Sequence, residues 1–269
     1  MERNNESLAL ISDKDIQELN DIRTKLEQTL MTKLRNAGIY FHSMSRVKTL
    51  TSLQRKLDTG KYGTGKDDKK IQDLIGIRIN LFYTEDIRIS EALLEDTFMV
   101  DNWSKTAWEE NRFEAQKCNG VFKIPSKYLI NISDQLWEQP FDRTFEVQLR
   151  TVLFEGWHEI EHEMRYKYKM DEGFDDNRSS LWDGQEKDAR MMNSIIANLE
   201  LCDWSIVQIF DNLARDQYIK KNWENAIRSK YRLKITQDKI KPEVRAYFDE
   251  HRREVLGGIQ AAACKYSAE

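Results

Sequence analysis

Proline is scarce in this chain: 269 residues contain three, Pro125, Pro140 and Pro242. So few breaks, with a third of the residues charged, disfavour a proline-punctuated all-β sandwich and favour long surface helices. Cysteine is equally sparse. Cys118, Cys202 and Cys264 have no paired spacing, which argues against a disulfide framework and a zinc cluster and predicts reduced thiols in a cytoplasmic protein. No apolar run is long enough for a signal peptide or a membrane span. Strong net charge is missing too: −4 from 42 basic and 46 acidic side chains does not suit a general nucleic-acid coat.

The charge is unevenly spread. Ser45 to Lys70 holds eight Lys or Arg against three Asp, a local excess suited to a polyphosphate ligand. A solvated basic loop is the ordinary alternative. Acidic partners elsewhere in the chain, Asp73 and Glu146, favour the ligand.

Periodicity predicts the elements. Ser12 and Asp15 form a capping box for a helix over residues 12–37, whose apolar stripe is Ile16, Leu19, Ile22, Leu26, Leu30 and Leu34. Gly38 closes it in the left-handed region. A short helix is expected over Ser52 to Leu57, then a Gly- and Lys-rich loop from Asp58 to Asp68. Ile75 to Tyr83 reads as a buried strand, Ile87 to Leu94 as a helix, and Phe98 to Trp103, Val121 to Ile124 and Thr144 to Arg150 as strands. Mixed elements of this kind predict an α+β fold, a mixed β-sheet core flanked by helices. Beyond residue 170 the composition shifts. An acidic stretch leads to helices from Glu186 to about Leu233 and from Pro242 onward. The expected organisation is therefore a domain over residues 1–170 and a helical C-terminal extension over 171–269, a buttress or a surface for homo-oligomers.

The densest segment runs from Asp142 to Lys169. Phe145, Val147 and Leu149 alternate with Glu146, Gln148 and Arg150, so a carboxylate, an amide and a guanidinium share one strand face. From Leu153 the period becomes helical, with Leu153, Trp157, Ile160, Met164 and Tyr168 on one side. Such a strand is a suitable floor for a site that handles a metal and phosphates.

In sequence, E-x-Q-x-R-T, W-x-x-x-E-H and Y-K resemble the synthetase domain of the RelA/SpoT-type alarmone synthetases. Ser45-Arg46-Val47-Lys48 with Ser52 and Lys56 resembles the ATP-binding basic motif of that family, and Gln72 to Arg78 (QDLIGIR) its D-x-x-G-x-R motif. The resemblance covers roughly residues 40–170. It implies a nucleotidyltransferase-like synthetase domain of the small type. The implied reaction moves the β,γ-diphosphate of ATP to a ribose 3′-hydroxyl of a guanine nucleotide and releases AMP. Asp73 and Glu146 are then the catalytic and metal-binding residues, with Mg2+ as cofactor. Arg46, Lys48, Ser52, Lys56 and Arg78 bind ATP, the two arginines stacking on adenine. Lys117, Gln148 and Arg150 face the acceptor.

Two other patterns compete. Gly60 to Asp67 nearly matches a P-loop, but Asp67 replaces the magnesium-binding hydroxyl and a helix precedes the loop where a strand belongs. His158-Glu159-Ile160-Glu161-His162 is a literal H-E-x-x-H, which reads as a zinc metalloprotease with Glu159 as general base. Flanking acidic residues and the lack of a clear third ligand count against it.

The acceptor side departs from the family. Where a G-Y-x-x-x-H pattern is expected, the chain has Gly120-Val121-Phe122-Lys123-Ile124-Pro125. Val121 replaces the Tyr that stacks on guanine, and Pro125 replaces the His. Phe122 alternates to the opposite strand face. Phe113 and Tyr128 are candidate substitutes for the ring. The resemblance therefore leaves three readings: a guanine-nucleotide synthetase with a rebuilt pocket, a toxin-like relative that uses an adenine nucleotide or the 3′ end of tRNA, and a decayed nucleotide-binding module.

Overall fold

A computed structural model describes residues 11–65, 68–107, 109–110, 113–114, 116–166, 184–231, 241–251 and 253–254. Tyr168, Lys169 and Cys264 and the expected boundary at 170/171 lie outside them. The chain divides into two compact units, Met1–Leu199 and Glu200–Glu269.

The first unit is an α+β sheet structure. Helix α1 spans Asp13–Asn36. Ser12 caps it, and the Asp15 carboxylate reaches back to the Ser12 backbone N–H at 3.2 Å, completing the expected box. Gly38 ends the helix at φ +75°, a conformation that only glycine adopts without strain. Strand β1 (Phe41–Val47), helix α2 (Leu50–Asp58), strand β2 (Ile75–Leu81), helix α3 (Asp86–Thr97) and strands β3 (Val100–Lys105) and β4 (Cys118–Lys123) follow. The short helix α4 (Asp134–Glu138), strand β5 (Thr144–Thr151) and helix α5 (Val152–Tyr166) complete the sheet region. The five strands lie in the order β1-β2-β5-β4-β3. Only the β2–β5 pair is parallel, so the sheet is mixed.

One face of the sheet carries the core. Ile75, Ile77 and Ile79 of β2 and Phe145, Val147 and Leu149 of β5 are buried with Leu19, Ile22, Leu26, Leu30 and Leu34 of α1 and Leu94 of α3. Phe122 joins them, in edge contact with Trp103 at 5.4 Å and tilted against Phe145 at 5.7 Å. Gly120 is needed there. A Cβ on it would meet Phe122 at 2.6 Å and Trp103 at 2.8 Å, closer than packed atoms come.

Strand β1 was not expected. Its central inward positions hold Ser43 and Ser45, with apolar Phe41 and Val47 packed against the core only at its two ends. Ser45 donates to Glu27 of α1 at 2.6 Å and Ser43 does so at 3.3 Å. Polar pairing with a helix replaces apolar packing, so no alternation marks the strand.

Helix α5 forms where period 3.6 predicts it, but in a different phase. Phe154 and Glu155 are buried, while Ile160 is exposed. The expected stripe through Leu153 and Ile160 does not face the core. Helix α6 (Glu186–Ile219) contains the division between the units, and α7 (Trp223–Tyr231) and α8 (Pro242–Glu250) follow it. The helical stretch expected from Glu186 to about Leu233 is interrupted at Lys221, whose φ is +58°, and Leu233 itself lies outside the described residues. Pro242 opens α8 at its first turn, as its fixed φ favours. In the second unit, buried Trp223 packs edge-on against Tyr218 at 5.2 Å and donates its indole N–H to Asp249 at 2.8 Å. No helix among the described residues is long and apolar enough to cross a membrane.

Candidate active site

Strand register decides which side chains share the open face of the sheet. Arg46 of β1 lies opposite Gly76 of β2, and Gly76 lies opposite Glu146 of β5. Glu146 is opposite Val121 of β4. Arg78 pairs with Gln148, and Gln148 pairs with Asn119. Side chains alternate across a sheet, so Arg46, Arg78, Glu146, Gln148, Arg150, Asn119 and Val121 all stand on the face away from α1.

Hydrogen bonds join this row into a ladder. Asn119 donates to Glu146 Oε1 at 2.9 Å, and Gln148 donates to Glu146 Oε2 at 2.8 Å. The other end of the Gln148 amide accepts from Arg78 Nε at 3.0 Å. Arg78 Nη1 then donates to Glu155 and Glu159 of α5. One neighbouring strand and a helix thus hold the Arg78 guanidinium, and two amides orient the Glu146 carboxylate. Burial alone would lower the Arg78 pKa, but the two carboxylates outweigh it and raise it.

Asp73 precedes β2 and is the meeting point of two lysines. Lys48 Nζ lies 2.5 Å from Asp73 Oδ2, and Lys56 Nζ lies 2.7 Å from the same oxygen and 2.8 Å from Oδ1. The arrangement follows from local structure. Lys48 directly follows β1, its backbone N–H bonded to Leu74 O at 2.8 Å. Lys56 is in the last turn of α2, and Leu53 and Leu57 bury the other side of that helix. Burial disfavours a charged Asp73, yet the two ammonium groups prevail and hold its carboxyl below the usual range. Burial lowers the Lys48 pKa despite Asp73, whereas the hydrogen bond and charge of Asp73 raise that of Lys56. Ser52 lies one helical turn before Lys56, and its hydroxyl accepts from Thr49 Oγ1 at 2.9 Å.

The remaining predicted residues are dispersed. Lys117 is exposed just before β4. Arg150 is buried, with Nε 3.5 Å from Glu155 Oε2, and presents little surface to an acceptor. Burial, more than the opposing Glu155 charge, lowers its pKa. Val121 does stand beside Glu146, where the family pattern puts an aromatic ring. It is 8% exposed. Phe122 is inside the core on the opposite face. Tyr128 also packs against that core, its hydroxyl 3.5 Å from Thr29 of α1, so it is not the substitute ring. Phe113 is exposed in the connection between β3 and β4.

Sequence reasoning missed Asn119 and Glu155. The pairing of Asn119 with Glu146 requires the β4–β5 register, which no local motif shows. Glu155 sits in the first turn of a helix, where a carboxylate reads as a helix-end charge.

The competing patterns find little support. The P-loop-like segment follows helix α2 and not a strand, and its Lys66 and Asp67 lie outside the described residues. For H-E-x-x-H, Glu159 is engaged by Arg78, and the His162 side chain lies outside the described residues. Ligand atoms of Glu155, His158 and Glu159 do fall within 4.8 Å of one another. Both carboxylates there already bind the Arg78 guanidinium.

Residues 45–171 match the family model described as the region found in RelA / SpoT proteins. Among solved structures, the chain is similar to small alarmone synthetase 2 from Bacillus subtilis, with a TM-score of 0.52 and 17% identity, covering 75% of this chain and 99% of that one. It is also similar to small alarmone synthetase 1 from Bacillus subtilis bound to its product pppGpp, with a TM-score of 0.52 and 20% identity over 74% of this chain and 93% of that one. For the same synthetase bound to AMPCPP, the TM-score is 0.51 and the identity 17%, over 72% and 92% of the two chains. At these identities the likeness is one of fold. No curated protein sequence matches. The region similar to RelA / SpoT proteins, residues 45–171, thus contains strands β2 to β5 and helix α5, the elements that build the open polar face.

Proposed function

We propose that this protein is an ATP-dependent pyrophosphokinase. It transfers the β,γ-diphosphate of ATP to the ribose 3′-hydroxyl of a guanine nucleotide, GDP or GTP, and works in the cytoplasm. The observation that carries this reading is the convergence of Lys48 and Lys56 on Asp73, beside a strand that displays Glu146, inside a RelA/SpoT region. Solved relatives of the same fold bound to AMPCPP and to pppGpp support nucleotides as the substrates.

In the reaction the 3′-oxygen attacks the β-phosphorus. A new P–O bond forms, the bond from the β-phosphorus to the α,β-bridging oxygen breaks, and AMP leaves with that oxygen. The hydroxyl proton passes to solvent. Asp73 and Glu146 supply hard, ionisable oxygens and would hold a divalent cation, Mg2+ in this reading, which screens the phosphate charge. The residues fit that ion. The charged form of Asp73 is favoured, and Glu146 is oriented by two amide N–H groups. When ATP binds, Lys48 and Lys56 exchange the Asp73 carboxylate for triphosphate oxygens, helped by the Ser52 hydroxyl. Arg78 and Arg46 offer planar guanidinium groups to the adenine faces. Lys117 and Gln148 are assigned to the acceptor.

One observation favours a second reading, in which the acceptor is an adenine nucleotide or the 3′ end of tRNA: Val121 occupies the place of the stacking ring beside Glu146. Incubation with labelled ATP, Mg2+ and GDP, GTP, ADP, ATP or uncharged tRNA tests both readings. The first predicts AMP release with GDP or GTP. Release only with ADP, ATP or tRNA selects the second. No release with any acceptor refutes the assigned reaction.

A further inference from the structure

Glu155 is 6% exposed, yet nothing in the transfer chemistry uses it. It lies between two arginines that reach it from neighbouring strands. Its Oε1 accepts from Arg78 Nη1, and its Oε2 is 3.5 Å from Arg150 Nε. Helix α5 starts directly after β5, so this carboxylate is fixed to the strand that carries Glu146, Gln148 and Arg150.

The Arg78 guanidinium is held along two edges, Nε by Gln148 and Nη1 by the α5 carboxylates. Those bonds lie in the plane of the group. The flat faces of a guanidinium are the surfaces by which it stacks on a base. Glu159, the other α5 partner, has a half-exposed side chain, where solvent weakens a charge pair. Glu155 is the buried one, and its other oxygen forms an ion pair with Arg150, Nε to Oε2 3.5 Å, with no hydrogen bond between those two atoms. Arg150 is itself buried, so its charge depends on Glu155 for compensation.

We propose that Glu155 is the positioning residue of the nucleobase platform: it sets the plane of Arg78 for the adenine of ATP, with Arg150 as its buried anchor. This inference rests on the assignment of Arg78 to the donor base. It gives Arg150 a role inside the donor half and removes it from direct contact with the acceptor.

The test is calorimetric binding of AMPCPP to the full chain carrying Arg78→Ala, Glu155→Gln or both. Both single variants are expected to weaken binding about tenfold, and the double variant no more than Arg78→Ala alone, because Glu155 acts through Arg78. Additive losses would overturn the proposal in favour of a general structural role. Unchanged binding by Glu155→Gln, with weakened binding by Arg78→Ala, would overturn it while leaving the donor assignment intact. Unchanged binding by Arg78→Ala would remove the donor assignment itself, and this inference with it. If Glu155→Gln does not fold, Glu155→Asp keeps the charge but withdraws it by one methylene. A severalfold loss is then expected, and wild-type binding by folded Glu155→Asp would overturn the proposal.

Discussion

The halves of the sheet face that we assign to the donor and to the acceptor follow different rules. On the donor side, β1, α2 and the segment before β2 bring two lysines onto one aspartate, and these residues are the ones that short motifs name. On the acceptor side, β4 keeps its backbone position beside β5, and Gly120 keeps the close approach to Phe122 and Trp103 that only glycine permits. The side chain beside Glu146 there is Val121, where the family pattern leads one to expect an aromatic ring. The scaffold of a binding site and its specificity are thus separable: register and packing hold the strand, and single outward positions hold the choice of ligand.

The largest expected effect breaks the donor half. Asp73→Asn and Glu146→Gln should each lower the transfer rate by a thousandfold or more, about 4 kcal/mol of transition-state stabilisation, with circular dichroism unchanged. Near-normal turnover by either variant would remove that residue from the mechanism.

The next tests the scaffold of the acceptor half. Phe122→Ala removes a fully buried ring that touches Phe98, Phe145 and Trp103 and should cost about 3–5 kcal/mol in chemical denaturation. Loss of acceptor affinity without loss of stability would show that Phe122 serves the ligand and not the core. Gly120→Ala should cost less, about 1–3 kcal/mol, from overpacking against the same rings. A stability within experimental error of wild type would show that the rings yield freely.

The smallest effect sharpens the difference between the halves. Val121→Tyr should strengthen GTP binding by about 1 kcal/mol, the lower end of the range for a base on an aromatic ring, and leave AMPCPP affinity unchanged. Weaker GTP binding would mean that the space is already filled by a rebuilt pocket.

How far the sequence could be read divides along the same line. The strands β2 and β5 and the cap of α1 are legible because each depends on neighbours within one element, such as Ser12 with Asp15. Strand β1 was not legible, because Ser43 and Ser45 satisfy Glu27 where an apolar pair would signal burial. The phase of α5 was misread for a related reason. Its buried face includes the charged Glu155, compensated by Arg78 from a strand distant in sequence. Asn119 was missed because its partner Glu146 reaches it only through strand pairing. Features that depend on long-range charge or register escape local reading.

The central claim is pyrophosphate transfer from a donor half organised on Asp73. Phosphorus NMR of the products formed from ATP and GTP tests it most directly. The account predicts AMP together with a guanine nucleotide bearing a 3′-diphosphate, and neither product with Asp73→Asn. Release of ADP, or the same products from Asp73→Asn, would contradict it.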